Sequence, residues 1–361
     1  MNITIAIPTF NRCANLAILI DSIEKINVPK GVKLFVAISN SASLDNTSIY
    51  LDILKLSNPE KYLIHNKISR QTNWYTLMQM VPKETDYVWL IGDDDVILNP
   101  NCLKEIFSII QDSKGELKAL FMPMKKKIGA KGFESGLLYD LCNKYGFIEV
   151  MGWMSSNFID YKFYLQIYEL FGEKLNYRAA RSEIVYKNRI GLYLHATQTY
   201  KVLFSHKVGL LFTDFIDEQP YERNLNTILQ SNGYAKKKYY SGRFFYDLDD
   251  INQINKLNNF MPGRFFYRYH NRDLILMLYQ IAYEGSKSRE FRKEETNTQI
   301  NILRDAVAYS KLSDYKVFYQ IIDALVADIL LGCELSNGEA KSIGDFFKVR
   351  EYSDKVDEIK V

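Results

Sequence analysis

Three consecutive carboxylates, Asp93-Asp94-Asp95, follow the apolar run Tyr87–Ile91 after a single glycine, Gly92. Like charges packed at a strand end are unfavourable unless a cation or hydrogen-bond donors compensate them. A hard divalent ion, Mg²⁺ or Mn²⁺, meets that need when one or two carboxylates and a diphosphate supply its ligands. A solvated acidic turn ahead of a helix would use the same residues, but the strand context favours the metal. A second cluster, Pro8-Thr9-Phe10-Asn11-Arg12, closes the first apolar run. A turn here offers backbone donors and the start of a helix, which suits a nucleotide. Arg12 is placed to meet a phosphate or to pair with Asp93. An ordinary strand-to-helix connection would look similar.

The elements that must position these clusters alternate. Ile3–Ile7 reads as a buried parallel strand closed by Pro8. Asn15–Ile26 reads as a helix, with Leu16, Leu19, Ile20 and Ile23 at helical spacing. Lys33–Ile38 is a second strand, Ser39–Asn46 a loop, Leu51–Leu56 a helix and Tyr62–Ile64 a third strand. Asn73–Met80 begins another helix, and Tyr87–Ile91 is the fourth strand. This alternation predicts an α/β fold, a doubly wound and mainly parallel sheet with right-handed crossovers. Ligands of such sheets collect beyond the carboxyl ends of the strands, where both polar clusters lie.

The chain has 361 residues, 25% charged and 47% hydrophobic, with a net charge of +3, too small to imply nucleic-acid binding. Cys13, Cys102, Cys142 and Cys333 form no CxxC pair, which argues against a zinc knuckle or disulfide framework and fits a reducing cytoplasm. The N-terminus enters a strand pattern at once, so no signal peptide is expected. The most apolar stretch, Val317–Cys333, carries Asp323 and Asp328 and reads as a buried amphipathic helix. Residues 234–272 hold eight Lys/Arg against three Asp, more net charge than the whole chain, interleaved with eleven aromatics. Packing of the C-terminal helices is the first reading of that segment, an anionic membrane surface the second and nucleic acid a distant third. Residues 273–349 are helical in pattern.

Four motifs carry a resemblance. Ile3–Arg12 resembles the opening strand and loop of family 2 glycosyltransferases, which have the GT-A fold. Ser39–Thr47 resembles their second-strand loop, Asn66 with Asn73 their paired asparagines, and Trp89–Asp95 their D-x-D region. The resemblance implies an inverting, metal-dependent transferase that moves sugar from a nucleoside-diphosphate sugar, UDP being the leading nucleotide. The acceptor would be a glycan or lipid-linked glycan in surface polysaccharide synthesis, at the cytoplasmic side and in places at the inner face of the membrane. Pro8, Thr9, Phe10, Asn11 and Arg12 would line the nucleoside pocket together with Asn73. Asn40 stands where the family has an aspartate that contacts the base, and an amide both donates and accepts where a carboxylate only accepts. Asp93 would hold the ribose or assist the metal, Asp94 would accompany it in the donor site, and Asp95 would bind Mn²⁺ or Mg²⁺.

An inverting displacement needs one general base for the acceptor hydroxyl. Glu183 and His195 are equal candidates, with Asp160 a further carboxylate; each residue type is more often structural. Trp153-Met154-Ser155-Ser156-Asn157 resembles an acceptor-side wall, although core packing accounts for Trp153 as well. Arg223 would reach the diphosphate or form a surface ion pair.

The expected organisation is a GT-A catalytic domain over 1–230, in which residues 1–125 bind the nucleotide sugar and residues 126–230 receive the acceptor. A helical C-terminal region over 231–361 would provide an assembly surface between copies. Two other classes compete. A sugar-phosphate nucleotidyltransferase would carry a Gly-rich phosphate loop after the first strand, whereas Pro8–Arg12 has no glycine. A non-catalytic glycan- or lipid-binding protein on the same fold would have little use for the aspartate triplet.

Overall fold

The computed structural model describes residues 1–67, 73–123, 132–175, 194–219, 236–262, 298–302, 304–306 and 308. The chain divides into two compact units. The first comprises Met1–Leu141, Ile148–Asn188 and Leu194–Tyr234; the second comprises Cys142–Phe147, Arg189–Tyr193 and Ala235–Val361.

The first unit opens with β1 (Asn2–Thr9), α1 (Cys13–Glu24), β2 (Lys33–Asn40), α2 (Thr47–Ile53), β3 (Lys61–Lys67), α3 (Asn73–Met80) and β4 (Tyr87–Leu90). These four strands are parallel and lie in the order β3-β2-β1-β4. The order reverses direction after β1, so the switch point, where sheets of this kind take their ligands, lies at the carboxyl ends of β1 and β4. There follow β5 (Asp95–Ile97), α4 (Cys102–Asp112), β6 (Ala119–Phe121), β7 (Gly132–Leu137) and α5 (Leu138–Tyr145). A π-turn (Ile148–Gly152) and a 3₁₀ turn (Met154–Ser156) lead into β8 (Asn157–Asp160), α6 (Tyr161–Leu175), α7 (Leu194–Leu203), β9 (Lys207–Phe212) and β10 (Ile216–Glu218). The main sheet has eight strands in the order β3-β2-β1-β4-β8-β6-β9-β7, with four parallel pairings and three antiparallel ones. β5 and β10 form a separate antiparallel pair.

The core explains the order. Ile3, Ile5 and Ile7 of β1, Val36 and Ile38 of β2, and Trp89 of β4 are fully buried, with Leu16, Leu19 and Ile23 of α1 packed on them. Each such side chain contributes about 1.5–3 kcal/mol of burial. Phe158 of β8 stacks on Tyr87 at 5.1 Å between ring centroids and meets Trp89 edge-on at 6.3 Å.

Several element ends differ from expectation by a few residues. β1 continues through Pro8 to Thr9. The ladder to β2 runs on through Pro8 and Thr9, but the ladder to β4 ends at Ala6, whose carbonyl receives Ile91 N, so the missing proline N–H falls on the side where β4 has ended. α1 begins at Cys13, because Asp45 Oδ2 accepts the Cys13 N–H and caps the helix from another loop. α2 starts at Thr47 and stops at Ile53, where Leu54 turns extended.

In the second unit, α8 (Lys236–Leu257) occupies the start of the basic and aromatic segment. Its later half buries Leu248, Ile251 and Ile254; the side chains of Tyr239 to Tyr246, on which the packing reading rests, lie outside the described residues. Val317–Cys333 and most of 273–349 lie outside them too. Among the described residues, no helix is long and apolar enough to cross a membrane.

Candidate functional site

The carboxyl ends of β1 and β4 bring Pro8–Arg12 and Asp93–Asp95 together. Arg12 Nη1 lies 2.7 Å from Asp93 Oδ1 and 2.7 Å from Asp94 Oδ2. Burial alone would weaken the charge on Arg12, but Asp93 and Asp94 outweigh it and raise its pKa above the ordinary value. Asp93 is 4% exposed, and burial raises its pKa against the opposing pull of Arg12. Its other oxygen, Oδ2, is buried and completes no hydrogen bond, although the nearby Thr9 hydroxyl favours the ionised form. Asp94 is the exposed member of the three, with 39% of its side chain accessible.

Asp95 is 3% exposed, and its pKa is pushed up to about 7. Burial is the main cause and Asp94 and Glu218 add to it, while Ser155 and the Trp153 indole pull the other way. The Ser155 hydroxyl donates to Asp95 Oδ2 and accepts the Gly92 N–H at 2.8 Å. The Ser155 carbonyl in turn receives the Trp89 indole N–H at 3.0 Å. Trp153 and Ser155, read from the sequence as an acceptor-side wall or core, thus adjoin the acidic turn. A Cβ at Gly92 would stand 2.9 Å from both Asp94 Oδ1 and Asp95 Oδ2, so a larger residue there would displace those carboxylates.

The loops after β1 and β2 are stitched together. Asn11 adopts a left-handed backbone, φ 52°, which asparagine tolerates better than most residues. Its N–H donates to Ser43 Oγ at 2.8 Å, and its side-chain oxygen accepts Leu44 N at 2.7 Å. Asp45 is held below its usual pKa: partial burial opposes this, but hydrogen bonds from Thr47 and Cys13 prevail. Asn40 is fully buried, its oxygen accepting Ser43 N and Oγ at 3.1 and 2.6 Å while its amide donates to Ser48 Oγ at 3.0 Å. The residue expected to face a base therefore holds its own loop. Asn73 donates to the Thr9 carbonyl at 3.2 Å, and among the described residues its Oδ1 is buried with no hydrogen-bond partner, while Thr9 Oγ1 is buried beside Asp93 with no complete hydrogen bond.

His195 opens α7 against the backbone of Met151 and Gly152. Burial lowers its pKa to about 4, with the Met151 and Gly152 carbonyls opposing. Asp160 ends β8, its Oδ1 accepting Lys162 N at 2.9 Å. Glu183 and Arg223 lie outside the described residues. The sequence reading missed Ser155 as the partner of Asp95 and missed Gln219 altogether.

Among the described residues, no three His, Cys, Asp or Glu side chains form a complete metal cage. The donor set nevertheless suits a hard cation that draws its other ligands from a phosphate group. Asp95 is a buried carboxylate with no cation against it among the described residues, and Asp93 Oδ2 is a buried oxygen with no complete hydrogen bond there.

No family model matches the sequence, and no curated protein does. Among solved structures, the chain superposes on S. aureus TarS with a TM-score of 0.52 at 12% identity, covering 92% of this chain and 54% of that one. It thus spans about half the length of that protein. TarS 1–349 in complex with UDP-GlcNAc gives a TM-score of 0.52 at 12% identity, over 96% of this chain and 92% of that one. The α/β, GT-A-like fold expected from the sequence is the fold this chain has.

Proposed function

We propose that this chain is an inverting, metal-dependent glycosyltransferase that takes its sugar from a nucleoside diphosphate. The observation that carries this reading is the polar cluster at the carboxyl ends of β1 and β4. Among the described residues, Asn73 Oδ1 is buried there with no hydrogen-bond partner, and Thr9 Oγ1 and Asp93 Oδ2 are buried beside each other with no complete hydrogen bond, next to Arg12 and the aspartate triplet. Buried polar atoms are rarely left unsatisfied without a ligand, ion or water in view. A nucleoside diphosphate offers ribose and base donors to these atoms and phosphate oxygens to Arg12. UDP leads because TarS 1–349, of the same fold, was captured with UDP-GlcNAc.

In this reading Asp95 and Asp93 hold Mn²⁺ or Mg²⁺, with Asp94 at the exposed rim. When bound, the ion neutralises the departing diphosphate. Arg12 supplies a fixed positive charge on the same side. Pro8, Thr9, Phe10 and Asn11 line the nucleoside. Asn40 shapes the pocket through its loop, so base contacts fall to that loop and to main-chain groups.

We assign the general base to Glu183 in preference to His195, whose depressed pKa and backbone setting suit a structural imidazole. The acceptor is a glycan or lipid-linked glycan, met on the side of Trp153. Contact with a membrane surface and assembly between copies fall to the C-terminal unit.

The test is thermal unfolding with UDP, GDP, CDP and dTDP, each with and without Mn²⁺. A ligand that binds only the native state raises the midpoint by mass action. A Mn²⁺-dependent rise with UDP is expected; no rise with any nucleotide overturns the reading.

A further inference from the structure

We propose that Gln219 is a positioning residue for the donor site, locking the acidic turn to the start of α1. The inference rests on the donor-site reading above and adds a residue to it. Gln219 follows β10 directly and is 3% exposed. Its backbone N–H donates to the Asp94 carbonyl at 2.9 Å. Its side-chain amide donates to the Asp95 carbonyl at 2.8 Å and stands 3.4 Å from that of Asp93. One residue thus takes the main-chain oxygens of all three aspartates. The same amide donates to the Asn15 carbonyl at 3.0 Å, and its oxygen accepts Asn15 Nδ2 at 2.9 Å.

Asn15 is 2% exposed and lies three residues beyond Arg12 in the first turn of α1. Three consecutive carboxylates repel one another, and a short turn has little stiffness of its own. Pinning its carbonyls fixes which way each carboxylate leaves the backbone. Tying the same amide to Asn15 sets the distance between that turn and Arg12. The carboxylates and the guanidinium then meet one diphosphate without rearrangement, and less freedom is lost on binding. Residues that orient metal ligands typically contribute about 10- to 100-fold in metal affinity.

The experiment measures Mn²⁺ affinity at saturating UDP by electron paramagnetic resonance, beside the metal-free unfolding midpoint. Gln219→Leu keeps the volume and removes every side-chain hydrogen bond; it is expected to weaken Mn²⁺ about tenfold. Leu103→Ala, a truncation in the core of α4, should lower the midpoint comparably and leave Mn²⁺ affinity unchanged. Asn15→Ala removes one arm of the clamp and should weaken Mn²⁺ about threefold. Wild-type Mn²⁺ affinity in Gln219→Leu overturns the proposal, as does an equal loss in Leu103→Ala. If Gln219→Leu does not fold, unchanged affinity in Asn15→Ala overturns it. A wild-type protein that binds no Mn²⁺ with any nucleoside diphosphate overturns the donor-site reading itself, and this proposal with it.

Discussion

Ser155 and Asp95, sixty residues apart, share one hydrogen bond that ties the acidic turn to the chain entering β8. The same hydroxyl accepts Gly92 N, so Ser155 grips the turn at both ends. Ser155→Ala strands a buried N–H and takes a donor from a buried carboxylate. A loss of about 1–3 kcal/mol is expected in urea unfolding. Because Ser155 lowers the Asp95 pKa, the variant should also need a higher pH for Mn²⁺-dependent UDP binding.

Asp95→Asn separates stability from function. The folded carboxyl titrates near 7 against about 3.9 unfolded, so the native state holds the extra proton between those values. This group's contribution is fully present at acid pH and declines as pH rises to about 7. Above that, an ionised Asp95 destabilises the metal-free protein. Asp95→Asn should therefore be more stable than wild type at pH 8 by about 1–3 kcal/mol, with the difference shrinking toward pH 4. Its Mn²⁺-dependent stabilisation by UDP should vanish. Paired thermal scans across pH check both halves of this prediction.

Arg12→Ala leaves Asp93 buried without its cation. Removing one partner of a buried pair is costly, and with Arg12 one-third exposed the expected loss is about 2–3 kcal/mol. Arg12→Lys should recover some of the stability and little of the UDP affinity, since an ammonium is a compact point charge on a flexible stem without the guanidinium's rigid fork of donors. Urea unfolding and calorimetry distinguish the two effects.

Glu183→Ala should lower sugar transfer at least a hundredfold and leave UDP binding within about twofold. His195→Ala should mainly destabilise. With a folded pKa near 4 against about 6.5 unfolded, the stability His195 contributes is fully present above pH 6.5 and lost as pH falls toward 4. Stability measured over that window should show a shallower acid decline in His195→Ala than in wild type.

The sequence made the first four strands legible because each is a short apolar run followed by polar turn residues, as in Ile3–Arg12 and Tyr87–Asp95. The same logic brought the two polar clusters to one edge, since strands alternating with helices place their carboxyl ends there. Asn40 shows where motif reading stopped. Its position suggested a base contact while its amide departed from the family's carboxylate, and its hydrogen bonds run to Ser43 and Ser48 a few residues along. Ser155 and Gln219 carry no local signature; their partners lie 60 and 124 residues away, and only the folded chain brings them together. β8 was equally hidden. It is four residues long and enters the sheet antiparallel, against the rhythm of the strands before it.

β4 pairs in parallel with β1 on one side and antiparallel with β8 on the other. The strand that carries the acidic turn is therefore shared between the stretch of chain that resembles a nucleotide-binding module and a segment that arrives much later. A fragment cut at about residue 125 would keep every motif of that module and still leave the Tyr87–Trp89 edge open and the Trp89 indole without its acceptor. Such naked edges invite pairing with other chains. That N-terminal stretch is thus a recognisable unit of sequence without being an excisable unit of structure, and exchanging it between homologous proteins requires carrying the 153–160 segment along.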